Sequence, residues 1–434
     1  MEMALGPGAF IGYGECFSFV SGLEEVAAGI GKLTKTDPIR AAALYETFLA
    51  GCYEKADELD DSSGSFGQFV DDLIRGWIKA RQASGADPDE TAARLLARMD
   101  NDPYSFCYQI EGDAAKAFDK AGLAAFERRI RARFEAASTA KPEPGKRLGH
   151  EAEYVLRRNG EILRTLYLAQ KDVAAYVALT TRTGLTAKDC HSLATMLVKR
   201  RKPEEALAWV ERGIALDGAK ADYLLTDLHR ELLTRLGRGN EAIEAAWADF
   251  RKDPGKYSYD DLMKLVPKTE RTAWHGKAMA AAKGADLGSL MELFLETKEM
   301  GRLAELVRGA TDAALNQTSH HATEPAAKKL EKAQPGLAAR LWRAQGMRIV
   351  DAAKSKYYDA ALSNFKRARR CYEQAGLASE WEDTVRQIRV SHRRKTGFLS
   401  GFEALAADTG RGVEPSFLDR AKARWGVRDG KDGS

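Results

Sequence analysis

Apolar positions recur every three or four residues along most of the chain, and the pattern is clearest over residues 185–254. Leu193 and Leu197 lie four apart and share a helix face, and Leu225, Leu228, Leu232 and Leu236 make one stripe. Ala206, Val210 and Ile214, then Ala242, Ala246 and Phe250, repeat that spacing. The pattern predicts helices over 189–200 and 204–216, joined at Lys202-Pro203. It predicts a second pair over 223–236 and 240–252, joined at Gly237-Arg238-Gly239. Glu205-Ala206-Leu207 returns as Glu241-Ala242-Ile243 and Asp217-Gly218 as Asp253-Pro254, both 36 residues later. A fixed period of that size marks an array of helical hairpins, because a two-helix unit cannot bury its stripe alone and must stack on its neighbours. Two antiparallel pairs stacked in the same sense are therefore expected, with Leu193, Leu197, Ala206, Leu232, Ala242 and Phe250 buried.

The pattern resembles tetratricopeptide repeats, which usually run to about 34 residues. Ala206, Ala242, the Gly237 turn and the Asp253-Pro254 exit match that family, whereas Gly213 and Asp249 stand where a second small Ala is usual. Elsewhere the spacing predicts helices over 17–33, 66–82, 123–135, 336–353 and 381–393, and a helical pair over 151–180. Asp37-Pro38 and Asp87-Pro88 are helix starts, since Asp caps well and Pro is tolerated in the first turn. A plausible pair follows at 260–263 and 273–282, and another at 287–297 and 300–315. Residues 316–324, with His320-His321, read as a polar break. Tyr358 to Tyr372 is again tetratricopeptide-like, with Ala361, Phe365 and Ala368 on one face. The expected fold class is all-α, a tetratricopeptide-like α-solenoid of helical hairpins with a helical N-terminal domain. The expected domains are a helical one over 1–135, a Ser/Thr/Pro/Gly linker over 136–149, repeats over 150–315 and a basic helical region over 325–428.

Composition changes this picture little. The 434 residues are 44% hydrophobic and 30% charged, as in ordinary folded proteins, and β-branched runs are scarce. No apolar run approaches the roughly 18 residues of a membrane span, and Met1-Glu2-Met3-Ala4 lacks the opening of a secretory signal, so a cytoplasmic protein without a membrane partner is expected. Cys16, Cys52, Cys107, Cys190 and Cys371 are far apart and show no zinc-ligand spacing, which points to free thiols.

Charge is more informative. Residues 1–100 carry 9 Lys and Arg against 17 Asp and Glu, a balance of −8, while residues 321–434 carry 23 against 14, a balance of +9. Lys366, Arg367, Arg369, Arg370, Arg386, Arg389, Arg393, Arg394 and Lys395 fall within 30 residues. Helical spacing allows Lys366, Arg370, Arg386 and Arg389 to face one groove, the arrangement that phosphate contacts need. The plainer reading is solubilising charge on the polar end of an array.

Other chemistry is thin. The acidic turn 57–65 lacks the ligand spacing of a calcium loop and reads as a helix–helix turn, in which Ser62, Ser63 or Ser65 caps the next helix and Gly64 takes an awkward backbone angle. There is no P-loop, no G-x-S-x-G and no H-E-x-x-H; Gly237-Arg238-Gly239 lies between helices rather than after a strand; and the seven histidines are scattered. No catalytic, cofactor or metal residue is singled out.

Two stretches carry a further likeness: Asp60-Asp61-Ser62-Ser63-Gly64 with the helix after it, Phe106 and Gly122-Leu123, and Tyr358 to Leu405 with His392-Arg393-Arg394-Lys395 and Phe398-Leu399. They resemble a bacterial family of uncharacterised all-helical proteins related to the regions C-terminal to SWIM zinc fingers. The Cys/His pattern of the finger itself is missing, so neither zinc nor finger-based nucleic-acid binding carries over. Taken with the repeats, the expected function is a non-enzymatic interaction scaffold for a protein or peptide. The alternative is nucleic-acid binding through Lys366, Arg367, Arg370, Arg386, Arg389, Arg393, Arg394 and Lys395.

Overall fold

Pro38 and Pro88 each open a helix behind an aspartate, as their spacing predicts. The Asp37 side chain accepts from the Arg40 N–H at 3.1 Å and Asp87 from the Asp89 N–H at 3.0 Å. The computed structural model describes Leu5 and residues 8–139, 150–218 and 222–407. These residues hold twenty-two α-helices, and among them there is no β-strand, only a single parallel bridge between Ile11 and Leu59. The chain divides into two units, Met1–Gly237 and Arg238–Ser434.

The first unit contains α1 (Tyr13–Leu33), α2 (Pro38–Lys55), α3 (Ser65–Ala83), α4 (Pro88–Asp100), α5 (Glu111–Ala117), α6 (Lys120–Thr139), α7 (His150–Gln170), α8 (Val173–Thr183), α9 (Ala187–Lys199), α10 (Pro203–Asp217) and α11 (Tyr223–Arg235). Helices adjacent in sequence pack as hairpins, most extensively α2 on α3, α6 on α7 and α9 on α10. One continuous core runs through α1 to α9, with Phe48, Phe66, Trp77, Phe126 and Tyr176 among its largest buried side chains. Burying an aromatic or aliphatic side chain contributes about 1.5–3 kcal/mol each.

The second unit contains α12 (Gly239–Lys252), α13 (Lys256–Leu265), α14 (Arg271–Ala281), α15 (Leu287–Glu296), α16 (Met300–Gly309), α17 (Asp312–Gln317), α18 (His320–Leu330), α19 (Pro335–Asp351), α20 (Tyr358–Gln374), α21 (Ala378–Ser391) and α22 (Thr396–Ala407). Its largest pairing is α19 on α20, where Gly346 lets the Phe365 ring come so close that a Cβ there would meet it at 2.7 Å. Phe365, Phe398 and Phe402 are fully buried, with ring centroids 5.3–5.9 Å apart.

The protein is thus an all-α, tetratricopeptide-like array of helical hairpins. Leu193, Leu197, Ala206, Leu232, Ala242 and Phe250 are all buried. The two repeats are not one module: the division between units falls at Gly237, inside the second expected pair, so α11 belongs to the first unit and α12 to the second. Gly213 has a packing reason, since a Cβ there would meet the Cβ of Cys190 at 2.8 Å where α9 and α10 pack.

Several expectations are corrected. Residues 316–324 are not a polar break throughout, since 316–317 end α17 and 320–324 open α18. Ser319 accepts from the His321 N–H at 3.3 Å and starts α18, which buries Ala322, Ala326, Ala327 and Leu330 and holds Pro325. The single helix expected over 300–315 is two, because Ala310 and Thr311 turn extended and Thr311 caps α17. In the acidic turn Ser63 accepts from the Ser65 N–H at 3.3 Å, as one of the expected caps, but Asp61 takes the next two, accepting from the Phe66 and Gly67 N–H groups at 2.8 Å each, while Gly64 takes φ 73° as expected. The short α5 had no counterpart in the periodicity. Of the expected linker, 136–139 continue α6 and 140–149 lie outside the described residues, as does everything after Ala407.

Candidate functional site

Glu111, Arg158, Arg164 and Asp189 are separated by up to 78 positions, yet they meet around α7 in the first unit. Arg158 grips Glu111 with both guanidinium nitrogens, 2.8 Å to each carboxylate oxygen, and Glu111 is only 4% exposed. Such a bidentate, charge-assisted pair is the strong form of the interaction, and it holds the Arg158 guanidinium above its ordinary pKa. Asp189 lies in a capping box with Thr186 at the start of α9 and accepts from Arg164 Nε at 2.8 Å and the Tyr176 hydroxyl at 2.9 Å. Burial works against its charge, but the bonds from Thr186 and Tyr176 and the Arg164 charge carry the carboxyl below its usual range.

These pairs line the floor of an open groove of about 1290 Å³, whose walls include Tyr108, Phe134, Leu156, Arg157, Tyr176 and Lys188. A second groove of about 1060 Å³ takes in Tyr108, Ile130, Tyr154, Val155 and Ile162. Residues of α7 contribute to both, and Arg158 borders each. Tyr108 and Tyr154 are 70% and 57% exposed, so the rims offer aromatic surface to solvent. Both grooves exceed the roughly 300–1,000 Å³ typical of small-ligand pockets.

The basic residues of the cluster at 366–395 are largely engaged within the second unit. Arg370 lies 3.6 Å from Glu331, Arg386 pairs with Asp383 at 2.8 Å, and Arg389 grips Glu403 at 2.9 and 2.7 Å. Arg369 bonds Glu373 and the Leu405 carbonyl, Arg367 stacks over Trp342 at 4.6 Å, and Lys395 donates to the Val350 carbonyl. Lys366 is exposed and engaged, and Arg393 and Arg394 are exposed. Carboxylates within 4 Å of four of these cations compete with any phosphate that approaches them.

Among the described residues one polar cluster stands out besides these pairs. His275 links α13 and α14 to Glu299, bonding the Tyr259 hydroxyl through Nδ1 and Glu299 through Nε2, both at 2.8 Å. This has the outline of a proton relay, but both ring nitrogens are used and burial pushes the Tyr259 phenol up, which disfavours phenolate. His320 and His321 have ring centroids 4.0 Å apart. Among the described residues no group of three or more His, Cys, Asp or Glu side chains could hold a metal ion, and no helix is long and apolar enough to cross a membrane.

One perturbed acid has no signal in the sequence. Asp71 sits mid-helix in α3, with Oδ1 buried and without a hydrogen-bond partner. Burial, with Asp113 and Asp102 nearby, pushes its carboxyl up to about 6 against the pull of Arg75. Arg75 is itself occupied by Asp72 and by Asp113 at 2.8 Å. In sequence Asp71-Asp72 reads as an ordinary charged helix start; only the fold brings Asp102 and Asp113 to it.

A family profile described as a family of unknown function (DUF6880) matches residues 7–400. No curated protein matches the chain. One similar solved structure is described as Naa15/Naa10 bound to HypK-THB; it is 14% identical over 94% of this chain and 68% of that one, with a TM-score of 0.34.

Proposed function

The chain belongs to the DUF6880 family of unknown function, and from its own residues we propose that it is a non-enzymatic scaffold that takes a protein or peptide partner on its helical-repeat surface. One observation carries this reading: the open groove beside α7, about 1290 Å³, combines an ion-paired floor with the exposed Tyr108 ring on its rim, which it shares with the neighbouring groove that Tyr154 lines. An extended or helical segment of another protein suits such a surface better than a small substrate, because the paired floor offers polar contacts while the rims supply apolar area. A cytoplasmic setting fits the five cysteines, all buried and free. Kinship with the regions C-terminal to SWIM zinc fingers rests on Asp60 to Gly64 with the helix after it, Phe106 and Gly122-Leu123, together with Tyr358 to Leu405, and belongs to the same reading.

The test uses Arg157 and Lys188, both exposed on the groove walls. Full-length wild type and the Arg157→Glu, Lys188→Glu double variant are used to co-purify partners from the native host. Loss of the same proteins from the variant, with its thermal transition unchanged, supports the groove. Partners retained in full by the variant refute it. Nucleic-acid binding through the C-terminal third is the second reading, and Arg393 and Arg394 favour it because no carboxylate of the described residues pairs with them.

A further inference from the structure

The second unit holds a lysine ammonium against two indole rings without an anion. Lys277 Nζ lies 4.1 Å from the centroid of Trp274 and 4.5 Å from that of Trp247. The rings stand 5.7 Å apart at 71°, so they form two walls of a corner. Each wall is fixed from behind: Trp247 stacks on the buried Phe250 at 5.8 Å and 18°, and the Trp274 indole N–H donates to Glu270 at 3.3 Å. Both tryptophans are half-buried, whereas Lys277 is exposed and forms no ion pair among the described residues. The Arg251 guanidinium also approaches Trp247, at 5.9 Å. A cation seated on two ring faces with no carboxylate partner is held by the ring quadrupoles.

We infer that the Trp247–Trp274 corner is a binding site for a methylated ammonium group, and that Lys277 is its resident competitor. The ligand class follows from what the corner lacks. A primary ammonium seated there gives up hydration and regains no hydrogen bond from the rings. A trimethylated nitrogen has no N–H to satisfy, is weakly hydrated, and presents methyl groups to both indoles. It therefore gains from the same faces while losing less water. Lys277 is tethered three residues from Trp274, so it occupies the corner at high effective concentration and lowers the apparent affinity of any visitor by the fraction of time the corner is free. The ligand is either a small quaternary amine or a trimethylated lysine of another protein; both present the same group.

The full chain is titrated with tetramethylammonium chloride, followed by indole fluorescence, with sodium chloride at equal ionic strength as the control. Lys277→Ala is expected to bind about tenfold more tightly than wild type, the factor that corresponds to a corner occupied by Lys277 about nine-tenths of the time. Trp274→Ala, combined with Lys277→Ala, is expected to abolish saturable binding while circular dichroism shows the helices intact at the temperature of the titration. Choline and a trimethyllysine peptide then separate the sources. A peptide at least about tenfold tighter than choline assigns the site to a protein ligand, and equal or weaker peptide binding assigns it to a small amine. Failure of Lys277→Ala to saturate, or binding that survives loss of Trp274, overturns the inference. The corner lies in the second unit, so its failure leaves the α7 groove untouched.

Discussion

Asp71→Asn should stabilise the first unit at neutral pH, although it removes a charge from a helix. The Asp71 carboxyl rises from 3.8 to about 6 because its charged form is half-buried, faces Asp113 and Asp102, and has one oxygen without a donor. A rise of that size corresponds to about 3 kcal/mol against the charged form, and partial exposure reduces it to about 1–2 kcal/mol. The native state holds the proton more tightly than the unfolded chain does. Stability from this group is therefore fully present below about pH 4 and falls as pH rises through about 6. Asparagine keeps the shape and removes the charge. The variant should match wild type near pH 4 and exceed it by about 1–2 kcal/mol at pH 7.5. A chain of two units need not unfold in one step, so amide hydrogen exchange of α3 at a series of pH values is the suitable assay. A variant no more stable than wild type at pH 7.5, or an advantage that persists undiminished at pH 4, refutes the reasoning.

Leu232→Asp places a charge at a fully buried position of α11, and a cost of about 3 kcal/mol or more should appear in urea unfolding. Arg158→Ala leaves Glu111, 4% exposed, without its guanidinium. Exchange protection around α5 and α7 should fall by about 3 kcal/mol, whereas a loss under 1 would mean that water reaches Glu111 freely. Arg370→Glu with Arg394→Glu adds negative charge to the C-terminal third and should weaken any DNA or RNA retardation alike for all sequences, with a steep salt dependence. If wild type retards neither at low salt, the basic residues are solvated surface.

Local patterns in the sequence carried well into the structure, and contacts between distant segments did not. Leu225 and Leu232 of the α11 stripe and the Ala361–Phe365–Ala368 face of α20 follow from helix period alone, because one apolar stripe must find a core whatever its partner, whereas Leu228 and Leu236 of that stripe are only half-buried and Leu233 beside it is buried instead. Helix starts at Pro38 and Pro88 were equally readable. By contrast, Arg158 and Glu111 are 47 residues apart, and no local rule pairs them. The same holds for Trp247 and Lys277, which only the packing of α12, α13 and α14 brings together. Asp61 was hidden for a different reason: in a run of Asp and Ser every residue is a competent cap, and the backbone angle at Gly64 decides which reaches. The split at Gly237 was invisible because the 36-residue repeat runs straight through it.

The placement of the cysteines has a practical consequence. All five thiols are buried, four in the first unit and Cys371 in the second. Burial also pushes Cys52 up to about 12 and Cys107 to about 11, and raises Cys190 and Cys371. Thiolate is the species that reacts with disulfides, alkylating reagents and peroxide. Each thiol is therefore shielded until its own surroundings open and expose it to the reagent. The protein carries its own stopwatch: the rate at which Cys371 is modified times the opening of one unit, and the rates at Cys16, Cys52, Cys107 and Cys190 time successive stretches of the other, with no label added to the chain.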